Sequence, residues 1–501
     1  MASRSREPQV EVIPETYELP VIAGELPTTD EIEAYAAEYM ATVTPPVVSV
    51  HELAPIDGGW KAWRFCISGF LLEVVTWGFT FSRFHCVFVL SSYGIFQDYY
   101  TSNPPFNKAS PVLIAAVGTT AIAIQYMEVP DFVLSIFDHV DNVFLQTIFL
   151  SLFFERYPDL LQVSIYVGLL IASLSLLLAS FVNQIWQLVM LQGVLFGISA
   201  GLMYFPILVL LPQWFVQRRG LATGIIFSGS GLGGEFLFVV VHPMLVLNAK
   251  HRFRISVPVG VVTKQARIPM DLTTPRLPVP RFQRGQSRPR FIPPQMHFIK
   301  TPLFWSLVVS TALQAMSFFS VSLYIAPFVK VISSPLSASI ALSLFNSAGV
   351  VGQIVVGHLC DRLPYAWIMF ISTLGSGMAV FLLWGFAHTL PLVFTFAIIF
   401  GGLMGGYCSV GPVAAADCAG NKPEQSSLIW ALTYFAKGAA VVIGPIISGF
   451  LYDVGRASAE GSSMRYGAFG FEQLEVFVGT CAVATSVTSI LVAATRQRVR
   501  G

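Results

Sequence analysis

The chain has 501 residues, of which 54% are hydrophobic, 13% aromatic and only 11% charged, against roughly a quarter charged in ordinary soluble domains. That composition excludes an ordinary soluble globular protein, and apolar runs of the roughly 20 residues needed to cross a bilayer recur along most of the sequence. The formal net charge of +1 hides an uneven distribution of sign.

Residues 1–56 hold ten acids, from Glu7 to Glu52, against Arg4 and Arg6, with scattered prolines. So acidic and apolar-poor a stretch has little to bury and reads as a disordered cytosolic tail. It lacks the apolar core of a secretory signal peptide, so the first hydrophobic helix is expected to serve as its own insertion signal. Membrane helices are predicted near 64–97, 110–130, 160–182, 185–211 and 220–247, then near 303–328, 337–359, 366–387, 390–415, 427–451 and 471–494. The two clusters define an amino-terminal bundle, 57–247, and a carboxy-terminal bundle, 302–495, followed by a basic tail, 496–501. The fold class is an all-α membrane protein. Between the bundles, residues 248–301 carry Lys250, Arg252, Arg254, Lys264 and further basic residues against the single acid Asp271, together with many prolines. This reads as an extended linker. Lacking interleaved aromatic platforms, it does not read as a nucleic-acid site, and the positive-inside rule places it, and with six spans per half both termini, in the cytoplasm.

An internal repeat supports two halves: Glu155, Arg156 and Pro158 in "LFFERYPDLL" parallel Asp361, Arg362 and Pro364 in "HLCDRLPYAW". Duplicated transporter halves leave weak repeats of this kind. The six cysteines are scattered without C-x-x-C spacing, which suggests neither zinc nor a disulfide framework. Gly229, Gly231 and Gly234 have the G-x-G-x-x-G spacing of a dinucleotide turn. They lie inside an apolar run, with no ribose-binding acid downstream, and read instead as small residues for close helix packing. No cofactor and no metal are expected.

Four motifs in order carry a family resemblance: "DGGWKAW" (57–63), "SYGIFQDYY" (92–100), "WFVQRRGLATGIIFSGSGLGG" (214–234) and "GHLCDR" (357–362). Together they resemble the major facilitator superfamily, in particular the fungal type of its monocarboxylate-porter branch. The resemblance implies a two-bundle carrier, nominally of 12 helices, working by alternating access and commonly coupled to a proton. It departs from the animal porters on the eighth helix. Gly349 and Gln353 stand where those porters carry an acid and an arginine, so proton-coupled lactate transport by their mechanism does not carry over.

Charged side chains at mid-membrane cost about 2.5–3.5 kcal/mol on insertion scales, so each raises a functional hypothesis. Lys437, in "LTYFAKGAAVVIGP", and Glu73, in "FLLEVV", are the leading substrate-site candidates, able to pair in the empty carrier. Tyr434, Gln314, Asn346 and Gln353 are expected to add neutral hydrogen bonds there or to serve helix packing. Glu155, Arg156, Arg218, Arg219, Asp361 and Arg362 are expected to gate, an acid meeting the positive end of the following helix while an arginine pairs with a neighbouring carboxylate.

Three stretches fit poorly. A first helix over 64–97 would be about 50 Å long at 1.5 Å per residue, residues 131–151 carry Asp131, Asp138, His139 and Asp141, and 248–275 holds no adequate sixth span. Stretches 83–91, 131–151 and 248–275 read as products of retained introns or a shifted frame, and the sixth helix as degraded. The expectation is a monomeric secondary transporter of a small organic solute, monocarboxylate-like, in the plasma or vacuolar membrane and without enzymatic chemistry. A nontransporting receptor or inactive carrier derived from the same fold is the alternative.

Overall fold

Apolar runs bounded by helix-stopping sequence set the elements. A computed structural model describes residues 56–80, 160–179, 181–232, 296–420, 425–458 and 466–500, with isolated positions between 117 and 157. Stretches 83–91 and 248–275, nearly all of 131–151, and the individual residues Glu155 and Gly234 lie outside the described residues. In chain order the helices are α1 (Gly59–Thr80), α2 (Leu161–Ala179), α3 (Ile185–Trp214, with a π-helical turn at Val189–Leu195) and α4 (residues 219–232). There follow α5 (Pro302–Ile332), α6 (Pro335–Cys360) and α7 (Tyr365–Ala379, prolonged by a π turn at Val380–Trp384). Last come α8 (Leu390–Ala419, with a tightened turn at Tyr407–Val410), α9 (Ser426–Ser458) and α10 (Glu472–Arg500). Eight helices among the described residues are long and apolar enough to cross a membrane. The protein is an all-helical, multi-pass membrane protein.

Local chemistry marks the boundaries. Thr301 accepts a hydrogen bond from the Phe304 N–H and precedes Pro302, and Ser334 accepts one from the Ser337 N–H and precedes Pro335. Each pairs a side-chain cap with a proline whose missing N–H costs the first turn nothing.

Polarity is inverted relative to a soluble bundle. Leu170, Leu174 and Leu178, one turn apart on α2, are exposed, as are Ile446 and Phe450 on α9. Serines lie inside. On α5, Ser310 bonds the Tyr407 hydroxyl at 2.8 Å, Ser317 donates to the Val478 carbonyl at 3.1 Å and Ser320 accepts from Ser448 at 2.7 Å. These bonds tie α5 to α8, α10 and α9 where lipid offers no hydrophobic drive between helices.

Helices α6 and α8 approach backbone to backbone. A side-chain carbon on Gly352 would strike the Gly402 carbonyl, and one on Gly401 the Phe345 carbonyl. Gly352→Leu is therefore expected to destabilise the protein by at least about 1–3 kcal/mol, as overpacking does. Thermal unfolding of the detergent-purified chain measures it, and an unaltered midpoint would rule the contact out.

Candidate functional site

Two charged groups buried in opposite halves of the chain define the centre. Glu73 on α1 is 1% exposed and Lys437 on α9 is 4% exposed. Lys437 is the opposite charge that acts on the Glu73 carboxylate. Its Nζ donates to Cys408 Sγ at 3.3 Å and stands 5.1 Å from the Tyr434 ring centroid, a cation–π distance. Tyr204 on α3 lies beside Tyr434 on α9. Glu73 Oε1 accepts no hydrogen bond from the described residues. A buried acceptor without a donor costs on the order of 1–3 kcal/mol, which makes this a place where a ligand's donor gains.

The sequence reading thus brings Glu73, Lys437 and Tyr434 together. Of the neutral candidates, Gln314 makes a side-chain contact between helices. Gln314 donates through Nε2 to the Met404 carbonyl at 3.1 Å, linking α5 to α8, while at Gln353 it is the backbone carbonyl that accepts from Ser409, at 2.8 Å. Asn346 is half-buried, its carbonyl 3.5 Å from where a carbon on Gly231 would lie. Missed from sequence were Cys408, a small thiol in an apolar run, and Tyr204, whose approach to Tyr434 depends on how α3 crosses α9.

A second set of carboxylates lies at the start of α4. Asp57 accepts from the N–H groups of Val216, Gln217 and Arg218 at 2.8–2.9 Å. Its own N–H donates to the Trp214 carbonyl at 3.0 Å, and its φ is +57°, a left-handed conformation that aspartate tolerates. Asp361, at the end of α6, accepts from the N–H of Gly220 at 2.7 Å and of Leu221 at 2.8 Å. Both acids therefore meet the exposed N–H groups and positive dipole end of α4. Half-burial pushes Asp361 above the ordinary carboxylate range, with the Leu221 and Gly220 N–H groups acting against that rise. Burial lowers the Arg219 guanidinium, and Asp57 and Asp361 oppose the shift.

The acid does meet a helix start, but not the one expected. Asp361 contacts not the helix that follows it, α7, but α4 of the other half, because Pro364 starts α7 beyond its reach while Gly220 lets the two backbones touch. Arg219 donates through Nε to the Phe215 carbonyl at 3.3 Å. Arg156 lies 5.8 Å from its neighbour's ring, Tyr157. Arg218 and Arg362 are exposed. Asp57 stood in a quoted motif, but its role as acceptor depends on a backbone angle the letters do not show.

Glycines set α4 between the halves. A side-chain carbon on Gly224 would strike the Gln353 carbonyl, one on Gly220 the Gly357 carbonyl, and one on Gly229 the Phe70 carbonyl. Thus α4 lies against α6 on one face and α1 on another.

Residues 307–471 match the Major Facilitator Superfamily. Among relatives, the chain is 28% identical to the MFS-type transporter pytF of Aspergillus terreus, over 62% of this chain and 93% of that protein. It is 25% identical to the aspyridones efflux protein apdF of Emericella nidulans, over 87% and 78% respectively. With human monocarboxylate transporter 12 the identity is 26%, over 58% of this chain and 62% of that protein.

Two outcomes follow for the α4 contacts. Asp361→Asn removes one charged acceptor and is expected to weaken the contact by about 1.5–3 kcal/mol. With Cys360, which is 7% exposed beside Gly220, as the sole cysteine, its alkylation by a permeant maleimide should speed up roughly tenfold or more, and an unchanged rate would count against the contact. Gly229→Leu should leave the chain inserted but hold α4 away from α1, seen as lost solute flux at normal membrane abundance.

Proposed function

The chain carries a Major Facilitator Superfamily domain within a multi-pass membrane protein, and from that premise we propose a secondary carrier that moves a small organic anion by alternating access. The observation that carries the reading is the shared burial of Glu73 and Lys437, on helices of opposite halves, at one site beside Tyr434. In the empty protein the Lys437 ammonium is the opposite charge facing Glu73. An anion entering from one side competes with Glu73 for the ammonium of Lys437, and the displaced carboxylate is then better neutralised by a proton than left charged in apolar surroundings. Anion and proton are thereby bound together, which is the minimal device for symport.

Asp57, Asp361 and Arg219 form the gate in this reading. While the carboxylates hold the start of α4, the face bearing Asp361 is shut; rocking the halves apart exposes that helix terminus to water. The basic linker and tail support a cytoplasmic side for this face and for both termini. The names of the relatives, transporters and an efflux protein, agree with carriage of a small solute.

Reconstituted proteoliposomes test the proposal. Anion uptake by the wild-type chain should rise with an inwardly acidic-outside pH gradient. Lys437→Gln should abolish uptake at unchanged membrane abundance. Glu73→Gln should keep anion exchange at equal pH while losing the response to the gradient. Saturable binding without flux in the wild type would replace the carrier with a receptor.

A further inference from the structure

Five buried rings run in series through the site. Trp77 on α1 meets Tyr204 on α3 edge-to-face at 5.9 Å, and Tyr204 meets Phe227 on α4 at 6.2 Å. Phe227 meets Trp430 on α9 edge-to-face at 5.9 Å, and Trp430 meets Tyr434 at 5.3 Å. The series ends under the Lys437 ammonium, 5.1 Å from the Tyr434 centroid. Glu73 lies one helical turn before Trp77, so the charged pair and the rings belong to one site. The Phe227–Trp430 contact is where the series passes from one half of the chain to the other.

From this placement we infer that the solute is a flat aromatic organic anion rather than a short aliphatic monocarboxylate. The inference rests on the reading above, that Lys437 receives the anion. A carboxylate of acetate or lactate size can reach Lys437, yet it covers none of the five rings once the halves separate. A fused-ring anion offers its own face and edge to Trp430 and Phe227 in place of the contact they lose, while its charge meets the ammonium. The geometry suits such replacement, because the edge-to-face Phe227–Trp430 pair at 5.9 Å can re-form on any ring of similar size. Glu73 Oε1, lacking a donor, matches a ring hydroxyl or N–H on the same ligand. Two ring contacts at about 0.5–1.5 kcal/mol each give a preference of roughly tenfold.

Isothermal titration of the full-length, detergent-purified chain with 2-naphthoate and with sodium lactate tests this. The naphthoate should bind at least about tenfold more tightly. Trp430→Ala should bring the ratio close to one, Trp430→Phe should retain most of it, and Lys437→Gln should weaken both anions. Lactate binding as tightly as naphthoate, or a ratio untouched by Trp430→Ala in a variant that keeps the wild-type thermal midpoint, would overturn the inference and leave the carrier standing. Naphthoate binding that ignores Lys437→Gln would overturn it too, by showing apolar attraction alone. A wild-type chain that binds neither anion would overturn both the inference and the anion-carrier reading.

Discussion

Helix α4 lies between α1 and α6 because it carries hydrogen atoms where other residues carry side chains. Gly229 lets the α1 backbone approach at Phe70, while Gly220 and Gly224 admit the carbonyls of Gly357 and Gln353. In hydrocarbon, where apolar surface gains nothing by leaving lipid for another helix, such close approach and the dispersion it brings are a main source of association. The remaining features follow from it. Asp361 reaches the start of α4 because Gly220 sits against Gly357, and Glu73 is set at the centre because Gly229 presses on its turn of α1.

The carboxylates at the start of α4 and the pair at its middle work at different depths of the same helix. Asp57 and Asp361 neutralise backbone N–H groups at its exposed end. Glu73 and Lys437 lie two to three turns deeper, where a lone charge is not tolerated. A change that separates α4 from α6 therefore uncovers both a dipole end and a path toward the charged centre. Coupling between the two sites needs no chain of side chains, since one rigid helix borders both.

Much of this was legible in the letters. Apolar runs between capping and proline signals gave the helices, and the candidate spans described end to end begin and end within a few residues of the predicted limits. Glu73 and Lys437 stood out because each is costly in hydrocarbon, and their convergence follows from there being little else to neutralise either. What stayed hidden depends on crossing geometry. The acid-arginine pattern announced that Asp361 is special but not that its partner is α4, some 140 positions earlier in the chain. The rings at 77, 204, 227, 430 and 434 share no spacing, since they come from four helices and meet only on packing. Gln314 looked like a ligand group, but an amide inside a membrane bundle also satisfies a neighbouring helix, and its Nε2 engages α8.

The contact of α4 with α6 also sets how finely the protein can be tuned. Side chains at an interface can bend and re-pack over a range of separations; the paired backbones at Gly220 and Gly357 have no such slack. In the proposed carrier the interface would act as a latch with two positions rather than a spring, with little to hold intermediate openings. Even the addition of a single methyl group at either glycine would wedge it, so graded control of such a carrier has to act on how often the latch opens, not on how far.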